Sequence, residues 1–399
     1  MSQKQSRIIT HNPRFDYLPS TDRYVSRKPE AAYRFNVIGT GVNGQEHIRV
    51  TEFEGRGTIH GVYDPNPGSV QAAVSILRQS GREPVVYDSL EAACSDPAVD
   101  GLIISTPNYS HIDVIPVAAR SGKHILLEKP MATTVADAYA ILQLSREYPA
   151  VFQIGLQYRY KSIFRESIAE VLERKSVGGV RKIAIQEHRI PFLDKVGQWN
   201  KFSRYSGGTL VEKCCHYFDL LNHFACSRPV EVYATGSQAV NFIDFTHEGA
   251  SSDILDNANV LVTYANGVMA SFDLCMFAPM FYEELVVCGD DGRLKAWEKK
   301  DFISSDALAC GIEINPGENR PARYITPHYM KHIEEAGHSG ATFIEHLNFI
   351  ENIEGRATST ADVDDGFWSV VVGAAAELSV RKHRIVRIDE LLESCSVDM

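Results

Sequence analysis

Phe35-Asn36-Val37-Ile38-Gly39-Thr40-Gly41-Val42-Asn43-Gly44 is the stretch on which the fold turns. A short apolar run ends in glycines, and a helical pattern follows. Gly39 permits a tight turn, Gly41 lets the backbone approach a pyrophosphate, and Gly44 lets the helix pack closely on the strand. A pyrophosphate would then rest on the positive end of that helix, with Val42 and Asn43 beside it. Glycines in this spacing are a weak signal alone. Here an acidic residue, Asp64, closes the next strand about 20 residues beyond Gly44. A carboxylate there accepts hydrogen bonds from the adenosine ribose diol and repels a 2′-phosphate. No Arg follows it directly, so NAD is expected rather than NADP.

Outward from this turn, short unbroken apolar runs alternate with helical patterns. The runs are Thr58–Tyr63, Pro84–Tyr87, Gly101–Ser105, His124–Leu127 and Val151–Leu156. The helical patterns include Ser69–Gln79, Ile112–Ser121 and Thr134–Ser145. Such alternation predicts a doubly wound parallel sheet covered on both faces, an α/β Rossmann domain over 34–157. After Gln157 the runs alternate apolar and polar with few helices between, and Asn266-Gly267 and Asp291-Gly292 are hairpin signals. Two helical segments follow, near Thr342–Ile353 and Val363–Val380. Residues 158–399 therefore read as an α+β domain with a large, open, mostly antiparallel sheet, for substrate binding and oligomerisation. Residues 1–33 read as a polar N-terminal arm, either a flexible tail or a strap on a neighbouring subunit.

Composition narrows the function. Lys and Arg number 40 against 51 Asp and Glu, a net charge of −11, which argues against nucleic acid or anionic lipid as the main partner. No apolar run approaches 18 residues, so no membrane-spanning helix is expected. The N-terminus has no secretory pattern. The eight cysteines are scattered without a Cys-x-x-Cys pair, which suggests reduced thiols and a cytoplasmic location.

Ligands of open parallel sheets bind beyond the carboxyl ends of the strands. Two such ends are chemically unusual. One is Ser105-Thr106-Pro107-Asn108 running into Tyr109-Ser110-His111, and the other is Glu128-Lys129-Pro130. A cation at Lys129 could stabilise an alkoxide or polarise a carbonyl; a solvated Lys paired with Glu128 is the plainer alternative. Taken with the glycine turn and Asp64, these motifs resemble the glucose–fructose oxidoreductase/inositol dehydrogenase (Gfo/Idh/MocA) family over most of the chain. The resemblance implies that Lys129 touches both the nicotinamide ribose and the substrate hydroxyl. Ser105, Thr106, Asn108, His111, Glu128 and Gln157 are the remaining expected cofactor contacts.

Gly207-Gly208 precedes a helical pattern over Thr209–Phe224. On its wheel Leu210, Cys214, Tyr217, Leu221 and Phe224 share one face, while Glu212, His216, Asp219 and His223 form a narrow polar stripe opposite. A His between carboxylates one turn away suits a general base whose protonated form those carboxylates favour. Spacing alone also leaves a metal ligand or a structural side chain open. The family resemblance implies His216 as base for the substrate hydroxyl, with Glu212 beside it and Asp219 following. This sequence departs in having Glu for the family's usual Asp, and Lys213-Cys214-Cys215 where a small apolar stretch is common. No metal is expected.

Tyr158 and Arg159, after the last parallel strand, should enter the interdomain crevice. His188, Trp199 and Arg204, on loops before the stripe helix, are further substrate contacts to weigh. The resemblance thus implies an NAD-dependent oxidoreductase acting on a hydroxyl of a sugar, sugar derivative or inositol, as a homodimer or homotetramer. The alternative is an NAD-dependent glycoside hydrolase with transient oxidation, elimination, water addition and re-reduction. A non-catalytic NAD sensor is a third reading, against which the intact Lys129 and His216 argue.

Overall fold

The computed structural model describes residues 31–301, 305–318, 320–356 and 361–398; the N-terminal arm lies almost wholly outside them. The first layer is a sheet of β1 (Tyr33–Ile38), β2 (Gly57–Tyr63), β3 (Val85–Val86), β4 (Gly101–Ile104), β5 (His124–Glu128) and β6 (Phe152–Gly155). All pairings are parallel, in the order β3-β2-β1-β4-β5-β6. Its helices are α1 (Val42–Glu54), α2 (Pro67–Gln79), α3 (Leu90–Ser95), α4 (His111–Ala119) and α5 (Val135–Ser145). The central strands are apolar and buried: Val37, Ile38, Leu102, Ile104, Leu126 and Leu127 are at or near zero exposure. Strand order reverses between β1 and β4, and the crevice at their carboxyl ends is where such sheets bind ligands.

The second layer is a nine-stranded sheet. Following α6 (Ser162–Ile168) come β7 (Val180–His188), α7 (Ser203–Ser206), α8 (Thr209–Glu212), α9 (Cys215–Ala225) and β8 (Pro229–Ser237). A two-residue ribbon, β9 (Thr246–His247) and β10 (Ala250–Ser251), stands apart from the large sheet. The remaining large-sheet strands are β11 (Asn257–Tyr264), β12 (Met269–Cys275), β13 (Phe281–Gly289), β14 (Arg293–Asp301), β15 (Ser305–Asn315), β16 (Arg323–Ile325) and β17 (Val386–Arg387). The order is β16-β15-β14-β13-β7-β12-β11-β8-β17, antiparallel except between β7 and β12. The hairpins at Asn266-Gly267 and Asp291-Gly292 join β11 to β12 and β13 to β14, as expected. Sequence reading missed β14 and β15. In β14 the inward residues Leu294, Ala296 and Glu298 alternate with Arg293, Lys295 and Lys299, which dilute the apolar signal.

The last helices return to the first layer. They are α10 (Lys331–Glu334), α11 (Ala341–Ile353), α12 (Val363–Lys382) and α13 (Ile388–Ser394). Phe349 of α11 packs on Phe35 of β1. Helix α12 is buried nearly all round, through Val370, Val371, Val372, Ala375 and Ala376. Its Gly366 lies so close to Ile154 and Met131 that a Cβ would come within 2.9 Å of each. A single apolar core therefore runs from the parallel sheet through α12 into the second sheet. No described helix is long and apolar enough to cross a membrane.

Candidate functional site

The glycine turn is built as the spacing requires. Gly39 has φ +88°, and a Cβ on it would lie 2.6 Å from the Ser105 carbonyl oxygen. A Cβ on Gly44 would lie 2.1 Å from the Gly39 carbonyl oxygen, so helix and strand meet there backbone to backbone. Gly41 differs: a Cβ would find nothing within 4 Å. It opens instead on a cavity of about 390 Å³ lined by Asp64, Ser105, Asn108, Lys129 and Trp199 among others. Gly41 is also the N-cap of α1, with no side chain capping the helix and no acid in its first turn. Unpaired amides and the positive helix end therefore face the cavity.

Polar groups around it await partners. Ser105 Oγ, Thr106 Oγ1 and Asn108 Nδ2 at its wall are buried without hydrogen bonds, as is Gln157 Oε1 outside its lining. Asp64 is held by the turn, its Oδ2 accepting from the Thr40 amide at 2.7 Å and its Oδ1 from the Asn66 amide at 2.8 Å. An uncapped helix start, an open Gly41, a fixed carboxylate and orphaned donors and acceptors fit a dinucleotide. His111 does not join them. Its Nδ1 lies 3.0 Å from the Pro130 carbonyl and its Nε2 3.1 Å from the Thr106 carbonyl, so it clamps the two strand-end loops together. Both ring nitrogens face backbone carbonyls, to one of which the imidazole donates, and His111 does not line the cavity. Glu128 lines the cavity, but its oxygens accept from the Lys129 amide and face His47 Nε2 at 2.9 Å.

Lys129 crosses to the second layer. Its Nζ donates to the Glu212 carbonyl at 3.1 Å. That carbonyl lies where the predicted continuous helix is broken: α8 ends at Glu212 and α9 starts at Cys215. The Cys214 amide reaches back to the Thr209 carbonyl at 3.3 Å, one residue further than an α-helix allows. The break accompanies the burial of Lys213, whose Nζ reaches the Tyr158 hydroxyl at 2.7 Å and Glu187 at 3.0 Å. Burial alone would lower the Lys129 pKa, but the Glu212 charge holds it above its ordinary value, so the ammonium stays charged. Burial would likewise raise Glu212, yet Lys129, Lys195 and Lys213 hold it at about 2.

Of the stripe, Glu212, His216 and Asp219 are buried, whereas His223 is half-buried. The stripe's electrostatics reverse the expectation. His216 stacks on Tyr158 with ring centroids 4.0 Å apart and planes 6° from parallel. Burial drives its pKa well below the ordinary imidazole value, and the charges of Lys129 and Lys213 push the same way. The flanking carboxylates are engaged elsewhere. Asp219 grips Arg159 through both oxygens at 2.7 and 2.5 Å, and Arg159 also meets Asp365 at 2.9 Å. Glu212 meets Lys195 at 3.3 Å. His216 is thus neutral, with Nδ1 buried and unpaired.

Four residues weighed as substrate contacts are engaged by protein groups in this structure. Arg159 and Asp219 saturate each other in a buried ion pair within the second domain. His188 points away, because strand alternation in β7 turns Glu187 inward. His188 lies instead on the open face, beside Gln186 and Asp273. Arg204 stacks over Phe202 and Tyr205. Trp199 does line the cavity, with the Lys195 ammonium 4.6 Å over its ring and Tyr109 edge-on to it. Sequence reading missed Lys195, Tyr109 and the Lys213–Glu187 pair. Lys213 next to Cys214 and Cys215, beside the apolar face of the helix, was the available signal, since a buried ammonium needs a buried acid.

Comparison with known proteins matches this architecture. The myo-inositol 2-dehydrogenase of Thermotoga maritima is 23% identical over 363 residues, covering 90% of this chain and 99% of that protein. The 2,7-anhydro-N-acetylneuraminate hydratase of Escherichia coli is 29% identical over 212 residues, covering 51% of this chain and 52% of that protein. The crystal structure of GenD2 from gentamicin A biosynthesis in complex with NAD superposes with a TM-score of 0.70 at 20% identity, over 90% of this chain and 97% of that one. Residues 33–156 match the oxidoreductase family's NAD-binding Rossmann fold, and residues 169–388 its C-terminal alpha/beta domain. With both halves matched in order, the chain belongs to the Gfo/Idh/MocA oxidoreductase family and its first domain is an NAD-binding one.

Proposed function

We propose that this protein oxidises a hydroxyl of a sugar, sugar derivative or inositol, with Lys129 and His216 handling the proton. The observation that carries this reading is the Lys129 Nζ bond to the Glu212 carbonyl, at the helix break four residues before His216. It brings a charged ammonium from the cofactor-binding sheet against the helix that bears a neutral imidazole. When bound, NAD⁺ supplies the hydride acceptor. Gly41, the α1 amides, Ser105, Thr106, Asn108 and Gln157 would hold it, and Asp64 would take the ribose diol. Neutral His216 accepts the hydroxyl proton, and Lys129 stabilises the alkoxide as it forms. Tyr158 fixes the imidazole by stacking. Trp199 and Tyr109 give a sugar an aromatic wall at the cavity.

A redox-neutral glycoside cleavage through the same two residues is the second reading, supported by the partial likeness to the anhydro-sugar hydratase. A screen of free sugars, inositols and chromogenic glycosides with NAD⁺ separates the two. Stoichiometric NADH with a free polyol is the expected result. Aglycone release that requires NAD⁺ without NADH build-up would replace it with the second reading. All eight cysteines are unpaired, which supports a cytoplasmic location. Exposed Tyr233, Leu261 and Met269 on the outer face of the large sheet support a homodimer or homotetramer through that face.

A further inference from the structure

Behind Glu128, on the side away from Lys129, two histidines face each other in the protein interior. His47 of α1 and His346 of α11 stand 299 positions apart in the chain, yet His47 Nδ1 and His346 Nε2 are 2.8 Å apart. Their outer nitrogens fix the proton count. Thr51 Oγ1 donates its one hydrogen to the His47 carbonyl at 2.8 Å. At the 3.1 Å contact between Thr51 Oγ1 and His346 Nδ1, the hydroxyl oxygen must then accept, so Nδ1 carries a hydrogen. His47 Nε2, 2.9 Å from Glu128 Oε1, likewise donates to that carboxylate. Two neutral imidazoles so oriented present lone pair to lone pair. That arrangement is repulsive unless a cation lies between them.

A third group points to what that cation is. Glu345, next to His346 on α11, is fully buried, and neither of its carboxylate oxygens has a hydrogen-bond partner. One ligand atom from each of His47, Glu345 and His346 lies within 4.8 Å of the others. A buried carboxylate without a partner is costly. The outer bonds from His47 to Glu128 and from His346 to Thr51 are the arrangement that orients metal-ligating imidazoles.

We propose that His47 Nδ1, His346 Nε2 and the Glu345 carboxylate form a buried site for a divalent transition-metal ion of zinc type. Two imidazoles and one carboxylate are a normal zinc set, completed by water or the second Glu345 oxygen. Two bonds of about 2.05 Å at a tetrahedral angle span about 3.3 Å, so the rings part by about half an ångström on loading. The ion would neutralise Glu345 and tie the helix that starts at the glycine turn to α11 of the second domain. Glu128 separates it from Lys129, so its role is structural, and the ion enters as the chain folds.

The test uses the full-length protein purified without metal-affinity media. Elemental analysis is expected to find about one zinc per chain, with His346→Asn and Glu345→Gln each losing most of it. Chelator treatment is expected to lower the Tm, and zinc to restore it. Should a variant fail to fold, Co²⁺ added to the chelated wild-type protein decides alone. A visible ligand-field band with an end point near one equivalent supports the site. No band, together with no zinc in the purified protein and a Tm indifferent to zinc and chelator, overturns it; the histidine pair then shares a proton. None of these readouts depends on the redox reaction, so they stand or fall apart from the proposed function.

Discussion

The glycine turn and the stripe helix both carry functional polar groups, but they leave them in opposite states. Around the turn, the α1 amides, Ser105 Oγ, Thr106 Oγ1 and Asn108 Nδ2 stay unpaired. Around the helix, almost every charge is matched: Asp219 and Asp365 with Arg159, Glu212 with Lys195, and Glu187 with Lys213. One region is a mould for a ligand; the other is a closed network from which one imidazole is left neutral. Orphaned groups mark where something binds, and saturated groups mark what holds the site together.

The sharpest break of this contrast is at the two residues that join the regions. Lys129→Ala is expected to cut turnover by about 10³-fold while NAD binding, followed by nucleotide fluorescence, stays near that of the wild type. His216→Asn should cost about 10²–10⁴-fold. Because burial and neighbouring lysines depress the His216 pKa, the imidazole remains an unprotonated base as pH falls through the ordinary histidine range. The acidic limb of the kcat/KM profile should therefore lie below that range. A limb at or above pH 6.5 would mean that the flanking carboxylates govern His216 after all.

Arg159→Met tests the saturated network. It strands Asp219 and Asp365, and about 3–5 kcal/mol of stability should go, read by urea unfolding. A stable variant with a raised KM would return Arg159 to the substrate. In the mould, Asp64→Ala should reduce the preference for NAD over NADP by about 10–100-fold, measured as the ratio of kcat/KM values. Gly41→Ala should weaken NAD by roughly tenfold with an unchanged Tm, because its Cβ meets no protein atom. His188→Ala, on the outer face, should change activity by no more than about twofold and stability by less than about 0.5 kcal/mol.

Legibility in the sequence follows the same division. Glycine spacing, the strand-end motifs and the acid at Asp64 act locally, through backbone geometry set by a few adjacent residues. They could be read, and the cavity assembles around most of them. The motif position of His111 says that it sits at the strand end, not that both nitrogens turn to carbonyls. The stripe misled for a related reason. Helical spacing places Glu212 and Asp219 near His216 in sequence, whereas their charges are spent on Lys195 and Arg159 from other segments.

From the chain alone came the two-layer architecture, the nucleotide turn, and Lys129 and His216 as the residues to watch. These rest on periodicity and short-range stereochemistry, which a linear string carries directly. Tertiary packing decided the rest: that β7 shows Glu187 rather than His188 to the interior, that the stripe helix breaks where Lys129 docks, and that His47 meets His346. Charge and proton placement depend on which distant groups share a dry interior. Coulomb energies there are large and act across contacts that sequence separation does not encode.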